Sequence, residues 1–561
     1  MSSPWPLDTA AKLLSGDPAV DSPAWHELLY QLVANCREAA QASDDVPPVI
    51  MECLAAALAA PGVTRQTVYS LALALLANSE QQAHMLGLGA EDPGAETLWF
   101  LTDPTCRKLL AQPALHELLF AGALYDGVLE AVLTTVRARL AGAFIAGDLP
   151  SFQWDMLLPL MNAIAAQGLL TEYAWALDGR EQEQVQQLIN DIDVDDDLLA
   201  VRLLLIASYQ PLFSLESWEK LLSDDEARED LIDDGFDERL IGLHWDEPRA
   251  WQRHAEAIPV MTEVSDAISK AVAEQYEQNP YPRWSRLGLI PPLGLAGYIS
   301  HQLGRPLDVG GRAQPRILIA GCGTGRQALA VASIIPEASI DAVDLSRQSL
   351  GYAAMMAERL GLQPRLTFAQ GDILALADHV EPGSYDVAES IGVLHHMADP
   401  AAGLASVATT LRPDGLLQLG FYSRTGRSAI NSLRARFGDG RDPDSAADLR
   451  DLRRQILMDG GEDVARVRWT TDLYSLSGFR DLLFHRQEHQ FDLPGIAQLL
   501  ADQGLEFLGM SFADPVQRQP YRTMFPDDEQ MADLDRWHQV EQANPTMFAA
   551  MYNFWCRKPA G

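Results

Sequence analysis

The chain has 561 residues, 47% hydrophobic and 21% charged, with 78 acidic against 42 basic side chains and a net charge of -36. That is a globular, soluble composition, and its length exceeds one core, since domains commonly hold about 100 to 200 residues. The acidity argues against nucleic acid as a partner, because binding a phosphate backbone relies on Lys and Arg displacing counterions.

The N-terminal stretch MSSPWPLDTAAKLLSGD lacks the basic start and apolar run of a secretory signal. No apolar run approaches the roughly 20 residues that a membrane span requires. Cys36, Cys53, Cys106, Cys322 and Cys556 are scattered, without a CxxC pair or zinc spacing. A cytoplasmic protein without a metal site is the expectation. From about residue 7 to 265, segments such as AWHELLYQLVANCREAA and LYDGVLEAVLTTVRARLAGAF place apolar residues three and four apart, the pattern of amphipathic helices. No convincing repeat of about 34 residues emerges. Residues 1–265 therefore read as a helical domain for partner binding or oligomerisation.

Residues 266–300 are a connector, in which Pro280 and Pro282 of QYEQNPYPRW end a helix. From about 315 the rhythm becomes strand, glycine turn, helix, strand. PRILIA, SIDAVDL, RLTFAQGD, YDVAESIGVL and LLQLGFYS read as strands, with helices between them. This alternation predicts parallel strands with crossover helices, a doubly wound α/β sheet. EFLGMSFA and TMFAAMYNFWCRK supply two closing strands after the helix LPGIAQLLADQGL, while the polar, Arg-rich residues 424–492 interrupt the scheme as a helical insertion.

Gly321, Gly323 and Gly325 follow the first strand directly, where a turn needs positive φ and a backbone that approaches a ligand without a Cβ in the way. Asp344 ends the second strand about 19 residues later, the position from which a carboxylate accepts hydrogen bonds from ribose hydroxyls. Asp372 follows the third strand, near the place of an adenine amino group. Leu345 and Ile373, one residue beyond each acid, are placed to sandwich the ring.

In this order and spacing IAGCGTG, AVDLS, QGDIL and GVLHHMADP resemble class I S-adenosylmethionine-dependent methyltransferases. The resemblance implies that Ala320, Gly321, Gly323, Gly325, Asp344, Leu345, Asp372 and Ile373 hold S-adenosylmethionine, with S-adenosylhomocysteine as product, and that the sheet ends on an antiparallel strand. Many family members carry an acid two residues before the first glycine, which helps hold the methionine ammonium. This chain has Ile319 there, so that role falls to another group, from the NPYPRW segment or from backbone carbonyls. A nicotinamide-dinucleotide enzyme is the natural rival, but its glycines run G-x-G-x-x-G and Arg326 stands where the later glycine belongs. An aminopropyltransferase on the same fold would show an extra acidic signature that is missing.

Methyl transfer from a sulfonium needs alignment, desolvation and sometimes a base, but no metal. His395 and His396 follow the fourth strand at the rim where the methyl group points, and are the candidate bases beside a purely structural reading. Glu389 resembles the first acid of arginine methyltransferases, without a second at suitable spacing. Tyr276, Asn279, Tyr281, Arg283 and Trp284 form either a lid over cofactor or substrate or an interdomain filler. In the insertion, Arg427, Arg434 and Arg436 solvate a helix face in preference to reading an acidic acceptor. His485 and His489 fall on one face if FRDLLFHRQEHQF is helical, as polar contacts near the acceptor.

The whole order, helical region, QYEQNPYPRW, core and SGFRDLLFHRQEHQFDLPGI, resembles bacterial tetratricopeptide-type methyltransferase proteins. The reading placed first is transfer to O or N of a peptide or protein side chain docked by the helical domain. A small metabolite acceptor, with the helical domain used for homo-oligomerisation, is the runner-up. A non-catalytic cofactor-binding scaffold or assembly factor is the alternative from another class, prompted by Ile319. The domain scheme is 1–265, 266–300, a catalytic domain of 301–423 with 493–561, and 424–492 inserted.

Overall fold

Among the described residues every named strand lies between Arg316 and Arg557, and the long stretch before it is helical. The structure is a computed structural model that describes residues 5–16, 18–20, 22–40, 46–60, 63, 65–76, 81, 83–87, 98–288, 291–310, 312–549 and 551–560. It divides into two units.

The first unit comprises Met1–Pro248, Trp284–Leu289 and Gly440–Phe479. Its helices follow the apolar spacing read from the sequence. Gly127–Ala146 starts where the Asp126 side chain accepts from the N–H groups of Val128 and Leu129, and stops at Gly147, whose φ of 70° is cheap only for glycine. The core holds Trp25, Trp154, Trp175 and Trp218, all nearly fully buried. Arg453, on the helix Ala446–Met458, makes a bidentate pair with Glu130, at 2.7 and 2.6 Å. The stretch 424–492 thus contributes Gly440–Phe479 to this unit, while residues 424–439 and 480–492 belong to the second.

The second unit comprises Arg249–Arg283, Ile290–Asp439 and Arg480–Gly561. Its sheet contains β1 (Arg316–Ala320), β2 (Ser339–Asp344), β3 (Leu366–Gln370), β4 (Tyr385–Ile391), β5 (Leu411–Tyr422), β6 (Glu506–Met510) and β7 (Met551–Arg557). They lie in the order β3-β2-β1-β4-β5-β7-β6. β3, β2, β1, β4 and β5 pair in parallel, and β7 runs antiparallel to both β5 and β6. This is the doubly wound α/β sheet, with the antiparallel strand expected at its end.

The continuous apolar run Ile317, Leu318, Ile319, Ala320 is buried throughout, as a central parallel strand covered on both faces must be. Each large side chain so removed from water contributes about 1.5–3 kcal/mol. β7 sends Tyr552, Phe554 and Cys556 into a core with Leu417, Leu419 and Trp537, and Trp555 on its other face is buried as well. Beyond β3 the chain adds one more contact to the sheet edge: Met261 N–H donates to the Gln370 carbonyl at 2.7 Å, and Gln370 N–H to the Pro259 carbonyl at 2.9 Å. Residues Arg249–Arg283 therefore pack with the sheet. No described helix is long and apolar enough to cross a membrane.

Candidate cofactor site and its histidine rim

β1 and β2 end side by side, which brings the glycine turn onto Asp344. Gly321 and Cys322 N–H groups donate to the Val343 carbonyl at 2.8 and 3.1 Å. Gly323 N–H donates to Asp344 Oδ2 at 2.7 Å, and Ser346 N–H to Oδ1 at 3.0 Å. A carboxylate offers about four lone-pair sites, so acceptors remain on both oxygens for ribose hydroxyls. Burial raises the Asp344 pKa above its ordinary value, against the pull of the N–H groups of Ser346, Gly323 and Leu345.

At Gly321 φ is 81° and a Cβ would lie 2.5 Å from both methyl groups of Val393. Only glycine fits between the strand end and that side chain. At Gly323 φ is 52° and a Cβ would stand 3.0 Å from the Tyr281 carbonyl. Thr324 Oγ1 donates to the neighbouring Pro282 carbonyl at 2.5 Å. The NPYPRW segment is thereby pinned against the glycine turn, with Tyr281 at its contact point. Asn279 caps the end of the helix Ala267–Gln278. Arg283 ends this part of the second unit, and Trp284 belongs to the first.

Asp372, 4% exposed, accepts from Leu374 N–H at 3.0 Å, and its own N–H donates to Thr262 Oγ1 at 2.7 Å. Ile373 beside it is buried, and the Leu345 carbonyl accepts from Gln370 Nε2 at 2.9 Å. The helix Arg347–Arg359 begins at Ser346, whose Oγ accepts from Ser349 N–H. Glu277 doubles this cap, taking Arg347 N–H and Gln348 N–H at 2.9 Å each. Thr262 and Glu277 carry no motif, and only the tertiary pairing reveals them. Ser346, as an N-cap serine after a strand, was detectable. The cradle thus fits S-adenosylmethionine: glycine backbone where a Cβ would collide, then an acid at each of the next two strand ends.

At the end of β4 the four rings of His395, His396, His485 and Tyr276 come together. His396 Nδ1 lies 2.7 Å from the Gln487 carbonyl, which only accepts, so this nitrogen carries the proton. His396 Nε2 then accepts from His395 Nε2 at 3.1 Å. His485 stacks on His396 with centroids 3.4 Å apart. Its Nδ1 accepts from Gln487 N–H at 3.2 Å, leaving Nε2 to donate to Tyr276 Oη at 3.2 Å. Tyr276 Oη donates to Asp481 Oδ1 at 2.8 Å. Burial, reinforced by neighbouring imidazoles, lowers the His395 pKa to about 3, and burial lowers that of His485 to about 4. The rings are therefore neutral at pH 7.

Two expectations are corrected here. The helix Leu476–Phe484 stops before His485, so His485 and His489 do not share a helical face. The chain is drawn out of the helix to run beside the tail of β5: Phe491 N–H donates to the Tyr422 carbonyl at 2.9 Å, and His489 N–H to the His395 carbonyl at 2.8 Å. Arg427 does not solvate a helix face. It is 3% exposed, lies over the Tyr422 ring at 4.2 Å and pairs with Glu488. Arg434 stands 3.6 Å from the same carboxylate, and Arg436 lies over the Phe437 ring.

Asp481 yields a pH prediction. Burial raises its pKa to about 6, although Tyr276 and Arg427 pull it down. A carboxyl that holds its proton more tightly folded than unfolded stabilises the fold below its ordinary pKa, and that contribution is lost as pH rises to about 6. Asp481→Asn keeps an oxygen acceptor for Tyr276 but does not titrate. Urea unfolding between pH 4 and 7 is expected to show the variant gaining stability relative to wild type as pH rises. A constant difference would contradict it.

Residues 317–415 match the family described as methyltransferase domain. An uncharacterized protein, syc1184_c, of Synechococcus sp. is 31% identical over 294 residues, which cover 48% of this chain and 67% of that protein. The malonyl-[acyl-carrier protein] O-methyltransferase of Halalkalibacterium halodurans is 35% identical over 21% of this chain and 45% of its own. The ubiquinone biosynthesis O-methyltransferase of Psychrobacter arcticus is 31% identical over 29% of this chain and 60% of its own. The chain thus spans about half the length of the two named relatives.

Proposed function

Since the chain belongs to the class I S-adenosylmethionine-dependent methyltransferases, we propose that it methylates an oxygen atom of a small or carrier-held acceptor. Bound S-adenosylmethionine supplies an activated methyl group on a sulfonium. Around it the residues present have three tasks. Asp344 and Asp372 orient the adenosine through ribose and adenine. The glycine turn admits the ligand to backbone contact. The β4 rim excludes water and receives the acceptor.

The observation that carries this reading is the set of neutral imidazoles at the rim. Burial lowers the pKa values of His395, His396 and His485, so these imidazoles add no positive charge against the sulfonium, and the Arg427 guanidinium beside them is paired with Glu488. The hydrogen bonds of His485 continue to Tyr276 and Asp481, a chain able to relay a hydroxyl proton, while His395 and His396 bond to each other and end on the Gln487 carbonyl. An oxygen acceptor is supported by the two named relatives, both O-methyltransferases. A peptide or protein side chain is the second reading, supported by the extent of the helical unit over Met1–Pro248, which would dock the partner or join two copies. The finer assignment to the tetratricopeptide-type methyltransferase proteins rests on the order of motifs along the chain. A cytoplasmic setting, supported by five free, buried cysteines, belongs to the same proposal.

The test is label transfer from methyl-labelled S-adenosylmethionine by the full chain to three acceptor sets: phenols, carrier-bound carboxylates and peptides. Label on oxygen of either of the first two supports the proposal. Label confined to peptides, on oxygen or nitrogen, overturns it in favour of the second reading.

A further inference from the structure

Directly beneath the glycine turn lies a buried carboxyl group with an unmet hydrogen-bonding need. Glu389 on β4 is 1% exposed. Its Oε2 accepts from Gln327 Nε2 at 2.6 Å, and Gln327 belongs to the helix Arg326–Ile334 that leaves the turn. Oε1 is buried with no hydrogen-bond partner. Leaving a buried acceptor unserved is costly, and more so once the group is charged. A fold that keeps such a group has a use for it.

Its place in the sheet identifies that use. Ile319 on β1 and Gln418 on β5 are its register partners on either side, and register partners in a parallel sheet share a face. Glu389 therefore occupies the same row, two residues below Gly321, as the apolar Ile319, one strand over. We propose that Glu389 is the anchor for the ammonium of the methionine end of S-adenosylmethionine, with Oε1 as the accepting atom. This rests on the cofactor reading above and extends it. A primary ammonium supplies what Oε1 lacks, a donor that is also a counter-charge. The carboxylate stands on β4, so Ile319 can fill the β1 position without leaving the cation unpaired.

The groups acting on Glu389 are Gln327 and Tyr298, which favour its charged form, and burial, which outweighs them and raises its pKa to about 7. The Tyr298 phenol, on the helix Gly294–Leu303, is held well above its ordinary pKa and stays neutral in this range. An ammonium needs the ionised carboxyl, so binding should strengthen as pH rises from 6 to 8 and should release a proton at pH 7.

The experiment is calorimetric titration of the full chain with S-adenosylhomocysteine, which carries the amino-acid end, and with 5′-methylthioadenosine, which lacks it. Glu389→Gln is expected to weaken S-adenosylhomocysteine binding at pH 8 by about tenfold or more. It should leave 5′-methylthioadenosine binding unchanged and abolish the pH dependence. Adding Ile319→Asp to Glu389→Gln should restore part of the loss by returning a carboxylate to the same row. Equal weakening of both ligands, or none, overturns the proposal. If Glu389→Gln does not fold, proton release by wild type, read in two buffers of different ionisation enthalpy, decides the matter, and its absence overturns the proposal. Failure of wild type to bind either ligand would instead overturn the cofactor reading itself.

Discussion

Asp344→Ala is expected to weaken binding of S-adenosylmethionine and S-adenosylhomocysteine by about ten- to hundredfold, equivalent to about 1.4–2.8 kcal/mol. The carboxylate has two tasks that alanine cannot perform. It holds the glycine turn through Gly323 N–H and the start of the next helix through Ser346 N–H, so its removal loosens the backbone that the ligand must approach. In the proposed site it would also offer its remaining lone pairs to the ribose, and a hydrogen bond to a charged group is worth about 1.5–3 kcal/mol. Because the β2 backbone pairs with β1 from Ser339 to Val343 and with β3 from Ile340 to Asp344, the sheet survives the substitution. Calorimetry with both ligands, alongside thermal unfolding, separates the two effects. Unchanged affinity would place the adenosine elsewhere.

Arg453→Ala is expected to destabilise the helical unit by about 3–5 kcal/mol, the range for removing one partner of a buried ion pair. Arg453 is 1% exposed and Glu130 is 5% exposed. Besides the two bonds to Glu130, the guanidinium donates to the Leu473 carbonyl at 2.5 Å and the Ala174 carbonyl at 3.1 Å. Alanine therefore strands a carboxylate and two carbonyls away from water. Replacing both partners, Arg453→Met with Glu130→Leu, removes the stranded charge and is expected to recover most of the loss. Urea unfolding of the three variants checks this. A double variant no better than Arg453→Ala would show that packing, and not the unpaired charge, sets the cost.

The glycine turn and its two acids were legible because each obeys a local rule. A turn needs positive φ, a strand end needs an acceptor, and both leave their mark within a few residues. The same holds for the strand alternation, whose apolar runs state burial on both faces. Arg427 was misread because an arginine in a polar stretch looks solvated, and its partner Glu488 lies 61 residues away. His485 was misread because periodicity continued past the point where pairing with the β5 tail drew the chain out of the helix. Glu389 was noticed for another family's chemistry, while its significance depends on the register that sets it beside Ile319.

The sequence by itself determined the fold class, the glycine turn and the acids at the next two strand ends, since these follow from spacing along one strand, turn and helix. Only the tertiary structure decided what surrounds them: Thr262 behind Asp372, Glu277 on the helix after Ser346, the stacked histidines with Tyr276 and Asp481, and the orphan oxygen of Glu389. Each of these joins segments far apart in the chain. Their energies come from desolvation and pairing at close range, and neither quantity exists until the chain has folded.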